Sequence, residues 1–256
     1  METTLWMRSN VNVYLAPGAV LQVPPREDAY PGNQIIGFYD VTNARLTGRG
    51  VIYGTGAQQS GGRIYTHGIH TENAQSSSVE EVMVLDPAIT GMRIVDARQF
   101  TVRRAIILAD HGGLSDGIDI DSSQDVTIDG AFIYSSDDNT SLGGGTGVRK
   151  TIKDIERLRV SNCIMYQTRS GSSFKIGTTL PQNWVRNLVY ENVDIIQAPQ
   201  VAAFYPIQGA NIDTVLLRNI TAETVTQRIL EFSIVVPNWE TWNGRLGYIH
   251  NITLQN

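Results

Sequence analysis

The stretch SDGIDIDSSQDVTIDGAFIYSSDD, residues 115–138, carries Asp116, Asp119 and Asp121 near its start and the adjacent pair Asp137 and Asp138 at its end. Between them apolar residues alternate with polar ones, Ile118 with Ile120 and Val126 with Ile128. A period of two belongs to a strand with one face buried, so the acids fall at strand ends or on the open face. A single aspartate there is an ordinary turn residue. Several carboxylates held together are different, because their mutual repulsion raises the pKa of at least one. A protonated carboxyl beside a carboxylate is the equipment for hydrolysing a glycosidic bond. DGIDIDSSQD also suggests a calcium loop, but its glycine comes too early for an EF-hand and no glutamate closes it. No metal site is expected.

Whether the acids meet depends on the elements that carry them, and the chain repeats itself. FTVRRAII (100–107), VTIDGAFI (126–133), LRVSNCIM (158–165), LVYENVDI (188–195), VLLRNITA (215–222) and ITLQN (252–256) share one alternating shape. With Arg104, Gly130, Asn162, Asn192, Asn219 and Asn256 taken as equivalent, the steps are 26, 32, 30, 27 and 37 residues. Gly48 in ARLTGRGVI lies 56 residues before Arg104, two steps of 28. Short alternating runs bounded by Asn, Gly and Asp are strands and turns. A convincing helical stripe is missing, and the steps are too short for the blades of a propeller. The expectation is an all-β, right-handed single-stranded parallel β-helix, one domain over residues 1–256, with stacked asparagine amides between coils. Ile118, Ile120, Val126, Ile128, Val160 and Leu217 should point inward.

In such a solenoid, residues one coil apart sit about 4.8 Å from each other along the stack. Asp116 and Asp137 are 21 residues apart, close to one coil, so Asp116, Asp137 and Asp138 should form one cluster. Segments 54–78 and 141–154 read as protruding loops of the kind that border binding sites.

Composition narrows the partners. The 256 residues carry a formal charge of −5, which offers no electrostatic footprint for nucleic acid or an anionic membrane. Apolar runs fall short of the ~20 residues of a membrane helix, and the first residues do not form a signal-peptide pattern. Cys163 is the single cysteine; it cannot form an intrachain disulfide and reads as a small buried hydrophobe.

The acid pattern, SDGIDIDSS followed by DD, resembles NTDGIDI…GDD of the polygalacturonase-like glycoside hydrolases, family 28. LWMRSNVNVYLAPGAVLQ, NARLTGRGVIYGTGA and SGSSFKIGT resemble further segments of that family in the same order, so the resemblance covers most of the chain. It implies a pectin-lyase-like β-helix, hydrolysis with inversion, a polysaccharide or oligosaccharide substrate, no cofactor and an extracellular or periplasmic setting; a monomer is expected. Carried over by position, Asp137 is the general acid, while Asp116 and Asp138 activate water. Asp119 should face the cleft, since Ile118 and Ile120 take the inward positions. Lys175 either binds an acidic sugar or pairs with Asp138, and His111 could line the same cleft.

The departures bear on substrate. Ser172 stands where the family has a histidine, and Asn139 where it has a cysteine. The Arg–Lys pair that holds a galacturonate carboxylate is replaced in AAFYPIQG, with Phe204 and Tyr205 there. A substrate other than plain polygalacturonate is therefore expected. Two alternatives stay open: a dextranase-like hydrolase on the same solenoid, and a non-catalytic carbohydrate-binding or tailspike-like β-helix. Trp184, Trp239 and Trp242 could stack on sugars or seal loops. The sequons at Asn139, Asn219 and Asn251 read as chance, two of them lying in coil ladders. Family members extend beyond both ends of this chain, so terminal coils are expected to be missing, and open coil ends invite association.

Overall fold

A computed structural model describes residues 4–23, 34–56, 66–111, 115–143, 152–178, 183–234 and 244–256. Trp239 and Trp242 lie outside the described residues, as do most of segment 54–78 before Thr66 and most of segment 141–154. The chain coils into a β-solenoid, and every strand pairing among the described residues is parallel. Among the described residues no α-helix occurs, and no helix there is long and apolar enough to cross a membrane.

Each middle coil contributes three strands. One face of the solenoid stacks His67–Gln75, Met92–Val95, Ile118–Asp121, Thr140–Gly143 and Ser172–Thr178. A second face stacks Arg98–Arg103 on Gln124–Asp129 and then on the start of Ile155–Gln167. A third carries Ile106–Ala109 onto Phe132–Ser135. Alternation puts one apolar row from each strand inside, so one continuous core runs from Met7 to Leu217. Ile118, Ile120, Val126, Ile128, Val160 and Leu217 are all buried, as is Cys163, whose thiol burial pushes up to about 11.

The repeat equivalence holds in the register. Arg103 pairs with Asp129, Asp129 with Ser161, Ser161 with Glu191 and Glu191 with Arg218, so the residues after them stack. Arg104, Gly130, Asn162, Asn192 and Asn219 all have positive φ, between 48° and 68°. Asparagine tolerates that left-handed turn and its amide bridges coils: Asn219 Nδ2 donates to Asn192 Oδ1 at 2.9 Å, and Asn192 Nδ2 to Asn162 Oδ1 at 3.2 Å.

Both expected loops depart in part from the sequence reading, and residues 141–143 belong to the strand Thr140–Gly143. Part of 54–78 is the nine-residue strand His67–Gln75, not loop. Its polar composition, HGIHTENAQ, hides a strand that is held by pairing with Gln34–Thr42 on one side and Met92–Val95 on the other.

Candidate active site

Two rows of outward side chains run along the face that carries the acids. The first is His70, Arg93, Asp119, Ser141, Lys175, Ala203 and Glu231, each directly paired with the next. In the second, Asp138 follows Asp116, Ser172 follows Asp138, and Gln200 and Arg228 continue the line. The sequence spacing was one residue out, because Asp138, not Asp137, stacks on Asp116: the Gly117 amide donates to the Asp138 carbonyl at 2.8 Å. Asp137 sits at the turn beside them.

The three acids nevertheless meet. One carboxylate oxygen from each of Asp116, Asp137 and Asp138 lies within 4.8 Å of the others. Asp116 and Asp137 are partly open, whereas Asp138 is fully buried. Asp116 Oδ1 accepts the Asp138 amide at 3.0 Å. Asp138 Oδ1 accepts the Ser172 amide at 2.7 Å, and Asp138 Oδ2 takes the Lys175 ammonium at 2.7 Å. Lys175 thus pairs with Asp138, the second of its two expected roles. Three carboxylates so close would also suit a divalent cation, but the positive charge among them is already supplied by Lys175.

A glycine makes this crowding possible. Gly171 has φ +87°, and a side chain there would press on the carboxylate oxygens of Asp137 and Asp138 and on Gln167.

Burial and like charge set the protonation. Asp137 is pushed up to about 6, first by burial and then by Asp138, with Lys175 opposing. Asp116 is held well above the usual carboxylate range by burial and by Asp119, Asp138 and Asp137. Asp119, which accepts Thr90 Oγ1 at 3.1 Å, is raised to about 7 by burial and Asp121, against Arg93. Lys175 is driven up by Asp138 and Asp116 despite its burial. The raised carboxyls therefore titrate as a group, sharing protons instead of each ionising at the usual carboxylate range.

Other expected residues fall differently. Asp119 lies in the first row between Arg93 and Ser141. His111 lies 4.0 Å from Asp86, and its carbonyl accepts the Ser115 hydroxyl. Ser172 donates to Gln200 Oε1 at 3.0 Å. Phe204 is a correction: it is fully buried and stacks on Phe232 at 4.8 Å between ring centres, because alternation turns it into the core. Ala203 and Tyr205 hold the neighbouring positions. Asn139 is fully buried and donates to Ser135 Oγ at 2.7 Å, which excludes a glycan there in the folded chain. Trp184 is covered by the Arg186 guanidinium, 5.5 Å from its ring centre.

Several residues on this face were not singled out from the sequence. Arg93 Nε donates to Asp121 Oδ2 at 3.1 Å. His70 Nδ1 lies 3.1 Å from the Tyr39 hydroxyl, and the His67 ring packs 5.4 Å from that of His70. Burial holds both imidazoles down, His70 to about 3, so both are neutral. Glu231 accepts Gln200 Nε2 at 2.8 Å. A regular sequence signal pointing to them does not exist, since the first row advances by 23, 26, 22, 34, 28 and 28 residues.

Comparison with known proteins agrees with this architecture. No curated protein matches the chain. Among solved structures, the family 28 exopolygalacturonase of Yersinia enterocolitica aligns over 99% of this chain at TM-score 0.67 and 14% identity, and the chain spans 58% of its length. The exopolygalacturonase of Thermotoga maritima aligns over 99% at TM-score 0.73 and 13% identity, with 71% of its length spanned. The endo-xylogalacturonan hydrolase of Aspergillus tubingensis aligns over 98% at TM-score 0.64 and 13% identity, with 75% of its length spanned. At such identities the likeness speaks for the fold. The family follows from the sequence profile: residues 3–200 match that of the glycosyl hydrolases family 28, and the chain belongs to this family.

Proposed function

We propose that the chain hydrolyses glycosidic bonds of a polysaccharide or oligosaccharide. Asp137 protonates the departing oxygen, and Asp116 and Asp138 activate the attacking water. The observation that carries this reading is the gathering of three carboxylates, two of them partly open, around one lysine. Asp137 sits at the edge of the group with its pKa raised to about 6, which suits a general acid. Asp138 has no exposed surface and both oxygens engaged. It does not reach an anomeric carbon, and its part in activating water is to hold Lys175 and, through its amide, the Asp116 carboxylate in place.

Inversion rests on the family resemblance. In an inverting enzyme the acid and base must leave room for a water between them, whereas in a retaining one the second carboxylate attacks directly. Proton NMR of the first anomer released decides between the two outcomes. The setting proposed is extracellular or periplasmic, in keeping with the family.

Plain polygalacturonate is not the proposed substrate, because the segment AAFYPIQG, which by resemblance replaces the cationic pair that would hold its carboxylate, contains no Arg or Lys. A dextranase-like specificity fits the same observation. Ser172, bonded to Gln200 in place of the family's histidine, favours the non-catalytic sugar-binding reading as the second choice. The test is a reducing-sugar screen across pectins, glucans and xylans in the presence of a chelator. Hydrolysis of at least one polymer is expected, and silence across the panel would transfer the assignment to binding alone.

A further inference from the structure

The face carrying the acids continues for three coils beyond Asp138, and its side chains there form a connected polar group. Ser172, Gln200 and Arg228 extend the Asp138 row, while Lys175, Ala203 and Glu231 extend the row beside it. Hydrogen bonds run along it without a break. Glu231 Oε2 accepts Gln200 Nε2 at 2.8 Å, Gln200 Oε1 accepts Ser172 Oγ at 3.0 Å, and the Ser172 amide donates to Asp138 at 2.7 Å. The Tyr205 hydroxyl also bonds to Glu231, and it lies within the electrostatic reach of Asp138 and Lys175. At about 4.8 Å per coil, Gln200 stands roughly 10 Å along the axis from Asp138, within the reach of a polymer whose scissile bond sits over the acids.

We propose that Glu231, with Tyr205 and Gln200, forms the sugar-binding position on the carboxy-terminal side of the acids and selects a ring without a negative charge. This deepens the hydrolase reading above and rests on it for the placement of the polymer. Lys175 is engaged by Asp138 and Arg228 by Glu231, at 2.7 and 3.1 Å. A uronate arriving here would therefore meet carboxylates whose cations are already committed. A neutral ring offers hydroxyl donors to the Glu231 carboxylate, and such charge-assisted bonds are the stronger kind. Ala203, between Lys175 and Glu231 in its row, adds no charge or donor. Specificity then comes as much from repelling the charged sugar as from holding the neutral one.

The test is electrophoresis of the Asp137→Asn chain at low salt through gels containing matched polymers, so that the matrix is not consumed. The pairs are homogalacturonan and its full methyl ester, glucuronoxylan and arabinoxylan, and carboxymethyl-dextran and dextran. In at least one pair the uncharged member should retain the chain about tenfold more tightly, as like-charge contact disfavours the other. Adding Glu231→Gln should reduce that ratio several-fold, and Glu231→Asp should keep it. Arg228→Gln, an exposed change that does not threaten folding, should raise it by freeing Glu231 from its cation. Preference for the charged member, a ratio indifferent to both Glu231→Gln and Arg228→Gln, or no retention by any of the six gels would overturn the proposal. Hydrolysis by the unmodified chain is measured separately. Failure to cleave a polymer that is retained would break the hydrolase reading and leave the charge preference standing.

Discussion

At the scale of single residues the site is a problem of crowded charge. Asp119, raised to about 7 by burial and by Asp121, has an unfolded-state value near 3.9. The folded chain therefore binds a proton there that the unfolded chain has lost. Its contribution to stability is present below about pH 4 and disappears as the pH rises through 7. His67 and His70 act in the opposite sense, because their folded values are depressed and their contribution grows as the pH rises to about 6.5. The difference between two chains separates these effects. Asp119→Asn should gain stability relative to the parent steadily between pH 4 and 7, measured by thermal unfolding. A pH-independent difference would mean that Asp119 does not hold its proton. Gly171→Ala tests the crowding itself. A left-handed backbone position costs a side chain about 1–2 kcal/mol, and the added methyl meets Asp137 and Asp138. Lower stability and lost activity are expected; a fully active Gly171→Ala chain would show that the acids have room to spare.

At the scale of elements, coils are joined by turns in left-handed conformation, and these carry the amide ladder. Asn192 sits in its middle with φ 53°, accepting from Asn219 and donating to Asn162. Asn192→Ala should destabilise by about 1–2 kcal/mol, combining the left-handed penalty with lost hydrogen bonds. Asn192→Gly should recover the backbone part in the same chemical denaturation series. Equal losses for the two would assign the whole effect to the amide. This ladder was readable in the sequence because asparagine recurs in it. A second ladder of turns was not: Asn43, Ser76, Gln99, Asp125, Arg157, Asn187, Thr214 and Asn251 all have φ between 47° and 60°. Their chemistry differs from coil to coil, with Ser76 bonded to Gln99 and Arg157 to Asp125, so only register exposes the column. The same holds for the site. Asp116, Asp137 and Asp138 were legible because the two groups lie about one short coil apart. Glu231, Arg93, His67 and His70 were hidden because loops of unequal length separate coils that touch. Phe204 was misplaced for a related reason: its neighbours in sequence were read without the alternation that turns it inward.

At the scale of the whole molecule, one alternating pattern repeated coil after coil yields a stack whose outer face presents side chains at fixed spacing. The solenoid was legible because each coil repeats the same inward row, and the likeness in fold to solved structures at 13–14% identity has the same origin. The stack fixes where carboxylates stand, and the central claim is that Asp137 is the one that protonates the departing oxygen. The most direct measurement compares the unmodified chain with Asp137→Asn, Asp116→Asn and Asp138→Asn on two substrates of one sugar. One is the natural glycan, and the other is an aryl glycoside whose phenol leaves without protonation. Asp137→Asn should abolish cleavage of the first and largely spare the second, while Asp116→Asn and Asp138→Asn should impair both. The loss of activity of the unmodified chain above about pH 6, set by the raised Asp137, should vanish on the aryl glycoside. Equal losses on both substrates for Asp137→Asn, or undiminished rates for all three variants, would contradict the account.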